Sequence, residues 1–272
     1  MSQINKMEKK TVAIVVPLSN REYLTPEEHI SLRHLESYLG SYDKYFVMPK
    51  DLEFDRAGFK IMRFSKQFFG SLDAHTKLSF YPKFYESFSD YKYMLMYHLD
   101  SLVFSDQLIQ WCETDVDYIG APWIKSEDSP WVKTPKVGNS GFSLRKIEIF
   151  LQVIYSSRSM VEPSKYWEEF CASRSRFNQL VNLPRKYVKY LKAFNSARWH
   201  MRRYHRNDDY FWSNEARKYF PAFEVASLDT ALGFAFELNP KLCFELNNQK
   251  LPFGCHAWHK YDREFWESYL LK

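Results

Sequence analysis

Short apolar runs alternate with segments of helical spacing through the first half of the chain. Thr11-Val12-Ala13-Ile14-Val15-Val16, behind Lys9 and Lys10, is almost wholly apolar and stops at Pro17-Leu18-Ser19-Asn20. Such a run reads as a strand buried on both faces. Thr25-Pro26-Glu27-Glu28 then carries the marks of a helix start: a Thr cap, Pro at the first helical position and Glu at the third. Ile30, Leu32, Leu35 and Leu39 supply that helix with an apolar stripe, and Gly40 ends it. Tyr45–Met48, halted by Pro49, reads as a second strand and Phe59–Phe64 as a third. A helix is expected over Leu72–Phe88, and the apolar run Tyr93–Tyr97 forms a further strand that leads into His98-Leu99-Asp100. Strands alternating with helices predict an α/β fold whose sheet is mixed but mostly parallel, flanked by helices.

The second half is less regular. Asp117-Tyr118-Ile119 is a short strand before Gly120-Ala121-Pro122-Trp123, and Val137–Arg145 is a glycine-bracketed turn running into another. Helical spacing resumes near Ile147 and continues through a basic stretch. A helix starting at Leu183-Pro184 would place Tyr187, Tyr190, Leu191, Phe194, Ala197, Met201 and Tyr204 on one side. Leu251–Lys260 reads as a turn and Asp262–Leu271 as a closing amphipathic helix. No repeat or low-complexity linker divides the chain, so residues 1–272 are expected to form one domain, with 155–206 as a helical basic insertion.

Composition narrows the picture. A chain of 272 residues, 45% hydrophobic, can bury a large core. Thr11–Val16 is too short to span a bilayer and no cleavage-like site follows it, so neither a signal peptide nor a transmembrane helix is expected. Cys112, Cys171, Cys243 and Cys255 form no C-x-x-C pair and read as reduced thiols of a cytoplasmic protein. The net charge of +5 hides an asymmetry: Ser173–Arg206 holds ten Lys/Arg and no Asp or Glu, which leaves 28 basic against 33 acidic residues elsewhere. A basic amphipathic helix there would suit the anionic inner face of a membrane as a peripheral contact, or would simply be a solvated face. Nucleic-acid binding is the weakest reading.

His98 and Asp100 stand where a buried strand ends. In open α/β sheets ligands bind beyond the carboxyl ends of the strands, and a carboxylate there suits a hard cation carrying phosphates. Alone, the tripeptide fits a turn cap beside a half-buried ring at least as well. Four stretches in register add weight: His98-Leu99-Asp100-Ser101-Leu102-Val103-Phe104, Asp117–Trp123, Val137–Arg145 and Pro252-Phe253-Gly254-Cys255-His256-Ala257-Trp258. Together they resemble a family of bacterial proteins of the DUF5672 type, read as nucleotide-sugar glycosyltransferases with a GT-A-like, Rossmann-like fold.

The resemblance implies roles. His98-Leu99-Asp100 stands where such transferases carry D-x-D, so Asp100 is the remaining carboxylate for Mn²⁺ or Mg²⁺, while His98 would touch metal, ribose or pyrophosphate. His256 would complete the metal site, with Gly254 allowing close approach and Trp258 anchoring the loop. Asn207-Asp208-Asp209-Tyr210-Phe211-Trp212 resembles the family's acidic pair, Asp209 as base and Asp208 as its neighbour; plain helix capping by Asn207 predicts the same residues. Pro17, Leu18 and Ser19 would lie against the nucleotide base. Gly138, Asn139, Ser140 and Gly141 would wall the sugar site, the Asn and Ser bonding sugar hydroxyls, and Lys77 and Lys260 would reach phosphate. The implied activity is metal-dependent transfer of a sugar from a nucleotide-diphosphate donor, UDP-linked, to a surface-polysaccharide or lipid-linked oligosaccharide acceptor. Alternatives from other classes are an inactive sugar- or nucleotide-binding scaffold and a nucleic-acid-binding protein.

Overall fold

The computed structural model describes residues 9–127 and 129–271. The first apolar run forms β1 (Lys10–Pro17), whose residues 13–16 are fully buried between helical layers. Thr25 and Glu28 close a reciprocal capping box, and Pro26 opens α1 (Pro26–Leu39). Strands β2 (Lys44–Pro49) and β3 (Phe59–Phe64) follow. The helix expected over Leu72–Phe88 is two, α2 (Leu72–Ser79) and α3 (Pro82–Glu86). Pro82 is the reason: it holds Tyr81 in an extended conformation, φ −86° and ψ 114°. Then come β4 (Tyr91–Tyr97), β5 (Leu102–Val103), α4 (Leu108–Glu113), β6 (Tyr118–Ile119), β7 (Pro122–Trp123), β8 (Lys136–Val137) and β9 (Phe142–Lys146).

The central sheet has the order β3-β2-β1-β4-β9-β6. Its first four strands are parallel, while β9 runs antiparallel to both β4 and β6. The fold is therefore α/β with a mainly parallel sheet, as the alternation predicted. Ile14, Leu35 and Leu95 pack in one core, on the α1 side, and Val15, Phe84 and Phe150 in the other, on the opposite face. Chain order reverses between β1 and β4, which opens a crevice beyond their carboxyl ends.

After α5 (Ile147–Ile154), residues 155–206 carry α6 (Pro163–Ala172), α7 (Arg176–Val181), α8 (Leu183–Tyr190) and α9 (Ala197–Arg202), and contribute no described strand to any sheet. The continuous helix expected from Leu183 to Tyr204 is broken. Asn195 is fully buried, and its amide bonds the Val161 N–H, the Val161 carbonyl and the Lys189 carbonyl. Ser196 then caps α9 by accepting from Trp199 N–H. Asn and Ser here satisfy the backbone outside a helix, as their short polar side chains favour.

The chain continues through α10 (Asp208–Asn214), α11 (Ala216–Tyr219), α12 (Leu228–Phe234), β10 (Ala235–Phe236), α13 (Pro240–Leu246), β11 (Gly254–Cys255) and α14 (Arg263–Glu267), the last shorter than the amphipathic pattern suggested. A small sheet, β10-β11-β5, positions the site. Phe236 pairs with Cys255 and Cys255 with Leu102, so the residues just beyond the strand ends, Glu237, His256 and Asp100, converge. Trp258, fully buried, donates its backbone N–H to the Asp100 carbonyl at 3.1 Å and fixes this junction. No helix among the described residues is long and apolar enough to cross a membrane. All four cysteines are free.

Candidate active site

Three side chains converge where β4 and the small sheet meet. One ligand atom each from His98, Asp100 and His256 lies within 4.8 Å of the others. His98 Nε2, Asp100 Oδ1 and His256 Nε2 are all buried, and none has a hydrogen-bond partner among the described residues. Orphaned buried polar atoms are costly, and three facing one another form a nest for a group that binds all three. Asp100 Oδ1 and His256 Nε2 stand 3.2 Å apart without hydrogen-bond alignment. On its other side, His256 Nδ1 lies 2.8 Å from Glu237 Oε1 and 3.0 Å from Asn139 Nδ2. Nδ1–H donates to Glu237, the carboxylate–histidine arrangement common behind metal-binding imidazoles, and an ion at Nε2 would take the place of the proton that Asp100 favours there.

The electrostatics fit a site built for a cation. Burial opposes charge on His256, yet Asp100 and Glu237 together push its pKa well above the ordinary range. Burial likewise opposes charge on Asp100, but His256 and then His98 hold its carboxyl well below the usual range. His98 is driven well down by burial and by the neighbouring His75 and His256. Two imidazole nitrogens and one carboxylate oxygen are a donor set suited to a borderline divalent ion. Gly141 is required here, since a methyl group on it would come within 2.0 Å of His256 Nε2.

The acidic pair at the start of α10 divides its labour. Asp208 is 1% exposed, and its Oδ2 accepts from the Ser140 hydroxyl at 2.5 Å and faces Arg145 Nη2 at 3.5 Å. Arg145 is itself fully buried and also donates to Ser140 Oγ, Ser79 Oγ and the Tyr85 hydroxyl at 2.6, 3.0 and 3.0 Å. Asp208 is therefore the counter-ion of a buried guanidinium. Asp209, one position on, faces a cavity and, among the described residues, accepts only from Tyr210 N–H, at 2.7 Å. Burial, then the nearby charges of Asp208 and Glu237, push its pKa up to about 7. Two adjacent carboxylates in unlike surroundings are suited to unlike roles. Asn207 makes no side-chain capping bond, so the capping explanation of this motif lacks its central contact.

Two cavities flank this centre. One, about 540 Å³, lies beyond β1 and β4 and is lined by Pro17, Leu18, Ser19, His75, His98 and Asp100, among others. The second, about 650 Å³, contains Asp209, Glu237 and Tyr210. His256 bridges them, touching Asp100 on one side and Glu237 on the other.

Several expected contacts lie elsewhere. Lys77 lines a separate groove with Arg198 and Arg202 and is bonded to Asp73 at 2.5 Å, because it projects from α2 away from the strand ends. Lys260 is exposed, lies 4.9 Å from the Tyr261 ring centre and lines neither cavity. Asn139 and Ser140 are spent on internal bonds. Asn139 Nδ2 lies 3.0 Å from His256 Nδ1 and its Oδ1 accepts from Phe142 N–H, and Ser140 bridges Asp208 and Arg145. Gly138 packs against Trp123, whose ring a methyl group there would meet at 2.2 Å.

Three residues of the centre escaped sequence reasoning: His75, Arg145 and Glu237. Burial holds down the pKa of His75, which stacks edge-on to His98 with ring centres 4.5 Å apart and reaches Ser140 Oγ at 3.3 Å. Glu237 follows the apolar pair Ala235-Phe236, as Asp100 follows a longer apolar run. A carboxylate ending an apolar stretch was the available signal.

Among solved structures, the fold is similar to a glycosyltransferase involved in glycosylating the major capsid of PBCV-1, at 11% identity and TM-score 0.47, with 93% of this chain and 96% of that chain covered. It is also similar to the galactosyltransferase LgtC, crystallised with donor and acceptor sugar analogues, at 12% identity, TM-score 0.45 and coverage of 94% and 92%. A third similar structure is apo GlyE, a glycosyltransferase of Streptococcus pneumoniae TIGR4, at 13% identity, TM-score 0.46 and coverage of 97% and 61%. No curated protein sequence matches the chain. The sequence profile of one family, described as a protein of unknown function (DUF5672), matches residues 58–256, and the chain belongs to that family.

Proposed function

We propose that this chain is a metal-dependent glycosyltransferase that takes a sugar from a UDP-linked donor and delivers it to a glycan or lipid-linked glycan acceptor. The observation that carries the reading is the nest of orphaned atoms on His98, Asp100 and His256, set between two cavities. The donor belongs in the cavity at the strand ends, with Pro17, Leu18 and Ser19 against its nucleotide. The acceptor belongs in the cavity that contains Asp209.

His98, Asp100 and His256 would hold the divalent ion, and the mixed imidazole–carboxylate set favours Mn²⁺ over Mg²⁺. Bound there, such an ion stabilises the negative charge that grows on the leaving diphosphate. The chain's own residues do the rest. Asp209 takes the proton of the acceptor hydroxyl as its oxygen bonds to the sugar C1, and the electrons of the C1–O bond leave with the nucleoside diphosphate. Asp208 and Arg145, locked through Ser140, hold the start of α10 so that Asp209 faces the cavity. Glu237 holds the His256 ring.

The test is release of UDP from a panel of UDP-sugars with Mn²⁺, read against Mg²⁺ and EDTA. Turnover supported best by Mn²⁺ is expected. Donor binding without release of UDP, with or without acceptor, would favour the scaffold reading.

A peripheral membrane contact through residues 173–206 belongs to the same proposal. Ten cations without one acid share that stretch with Phe177, Leu180 and Tyr187, which are 74%, 70% and 60% exposed. Apolar side chains held in water beside cations suit an anionic lipid surface, where a lipid-linked acceptor would lie.

A further inference from the structure

The second cavity carries more chemistry than proton transfer needs. Its walls are aromatic, with Trp123, Trp131, Tyr210 and Tyr261 all lining it. Trp131 leaves 66% of its surface in water, which an indole does at a cost unless something covers it. Flat aromatic faces of this kind accept the C–H faces of sugar rings, and a volume of about 650 Å³ suits a small-molecule ligand.

The cavity carries charge of both signs. Asp209 and Glu237 are the carboxylates, and Glu237 is committed to His256. Lys133, Lys136 and Arg206 are the cations, and among the described residues none of them forms an ion pair. Two of them are held in place without being neutralised: Arg206 lies 4.5 Å and Lys136 5.5 Å from the Tyr210 ring centre. Lys136 Nζ also donates to the neutral Asn214 Oδ1 at 2.5 Å. Three cations beside a reactive carboxylate, none of them used to quench it, form a binding surface for a charge carried by the ligand. Arg206 also ends the acid-free run that begins at Ser173, so the local field is positive well beyond the cavity.

We infer that the Asp209 cavity selects a carbohydrate acceptor bearing a negative charge, with the sugar ring against the Trp and Tyr faces and its carboxylate or phosphate held by Lys133, Lys136 and Arg206. The inference rests on the transferase reading, and it names the chemical class of that reading's acceptor. A neutral glycan would leave the three cations without a role.

The test uses matched acceptors that differ only in charge. UDP release is followed with the best donor of the panel and Mn²⁺, comparing methyl glucuronide with methyl glucoside and glucose 6-phosphate with glucose. The wild-type protein should prefer the charged member of at least one pair by about tenfold in kcat/KM, and the preference should fall with added salt. The glucuronide and phosphate arms separate a carboxylate from a phosphate ligand. Arg206→Gln with Lys136→Gln, checked for folding by circular dichroism, should bring the ratio towards one.

Acceptor-free UDP release reports on the transferase reading by itself. If that release is absent, saturation-transfer NMR with the same four sugars still tests the cavity, since charge-selective binding requires no turnover. Equal response to charged and neutral members by both measurements, absence of any response included, would overturn the inference. So would a preference that the double variant leaves intact.

Discussion

Asp100 lines the cavity at the strand ends and Glu237 the cavity around Asp209, and His256 touches both carboxylates, yet the two cavities are lined differently. The first lies beyond the ends of β1 and β4 of the central sheet and is framed by the segments that follow them and by the start of α2. The second is lined by the short strands β7 and β8 at Trp123 and Lys136, the loop residues 131–134 between them, the first turn of α10 and the turn before α14, at Tyr261. The first presents three imidazoles and the carboxylate of Asp100 beside the Arg21–Glu28 pair, and the second presents aromatic faces and cations without an ion pair among the described residues. Scaffold-built sites hold a common group precisely placed, while loop-built sites vary with the ligand. On the proposed reading, a common donor belongs on the first side and a chain-specific acceptor on the second.

Removing the proposed base should separate the two sides most sharply. Asp209→Asn keeps shape and cannot accept a proton, so kcat should fall ~10²–10⁴-fold with the donor KM changed little. Equal loss from Asp208→Asn with Asp209→Asn active would exchange the two roles. On the other side, Asp100→Ala should reduce Mn²⁺-dependent turnover by ~10²–10³-fold. Mn²⁺ titration by electron paramagnetic resonance should show the ion released. Retention of tight Mn²⁺ binding by Asp100→Ala would remove the strand-end site from consideration. Glu237→Gln should be milder, weakening metal affinity ~10–100-fold, because Glu237 holds the His256 ring without being one of the three ligands.

How much of this was legible in the sequence follows the same division. β1–β4, the capping box of α1 and the His98-Leu99-Asp100 stretch are local: apolar runs, turn residues and caps encode them within a few positions. The breaks were partly legible, since Pro82 ends α2's continuation in a way the sequence states outright. Asn195 was not, because what breaks the helix after α8 is its pairing with Val161, 34 positions away. Glu237 stayed hidden for the same reason, as only the β10–β11 register sets it beside His256. Asn139 and Ser140 looked free to meet a sugar because their partners, His256 and Asp208, are 117 and 68 positions distant.

The pH dependence sharpens the contrast between Asp208 and Asp209. With the Asp209 pKa near 7, kcat/KM should rise as pH increases through about 7, since the ionised form accepts the proton. Stability should move the other way. The folded-state pKa lies above the ordinary 3.8, so the stability of the protonated form is fully present below 3.8 and is lost as pH rises through about 7. Asp209→Asn should therefore melt above the wild type at pH 8, by roughly 2–6 °C, with the gap closing towards pH 4. A flat rate profile between pH 5.5 and 8.5 would take the base role from Asp209.

The smallest expected effect concerns the basic segment, which lies outside both cavities apart from Arg206. Arg176 and Arg185 form no ion pair among the described residues, and Phe177 and Leu180 stand exposed beside them. At a lipid surface each such cation contributes ~1 kcal/mol, so Arg176→Glu with Arg185→Glu should weaken binding to phosphatidylglycerol-containing vesicles ~10–100-fold in co-sedimentation. Added salt should do the same to the wild type, because screening acts within ~8 Å at physiological ionic strength. Phe177→Ser with Leu180→Ser should weaken binding to the same vesicles while leaving its salt dependence in place, since the apolar contribution is not screened. A protein that ignores vesicle charge altogether would return this stretch to a solvated face. The comparison would then rest on the two cavities alone, with the cations of the second still to be matched by their ligand.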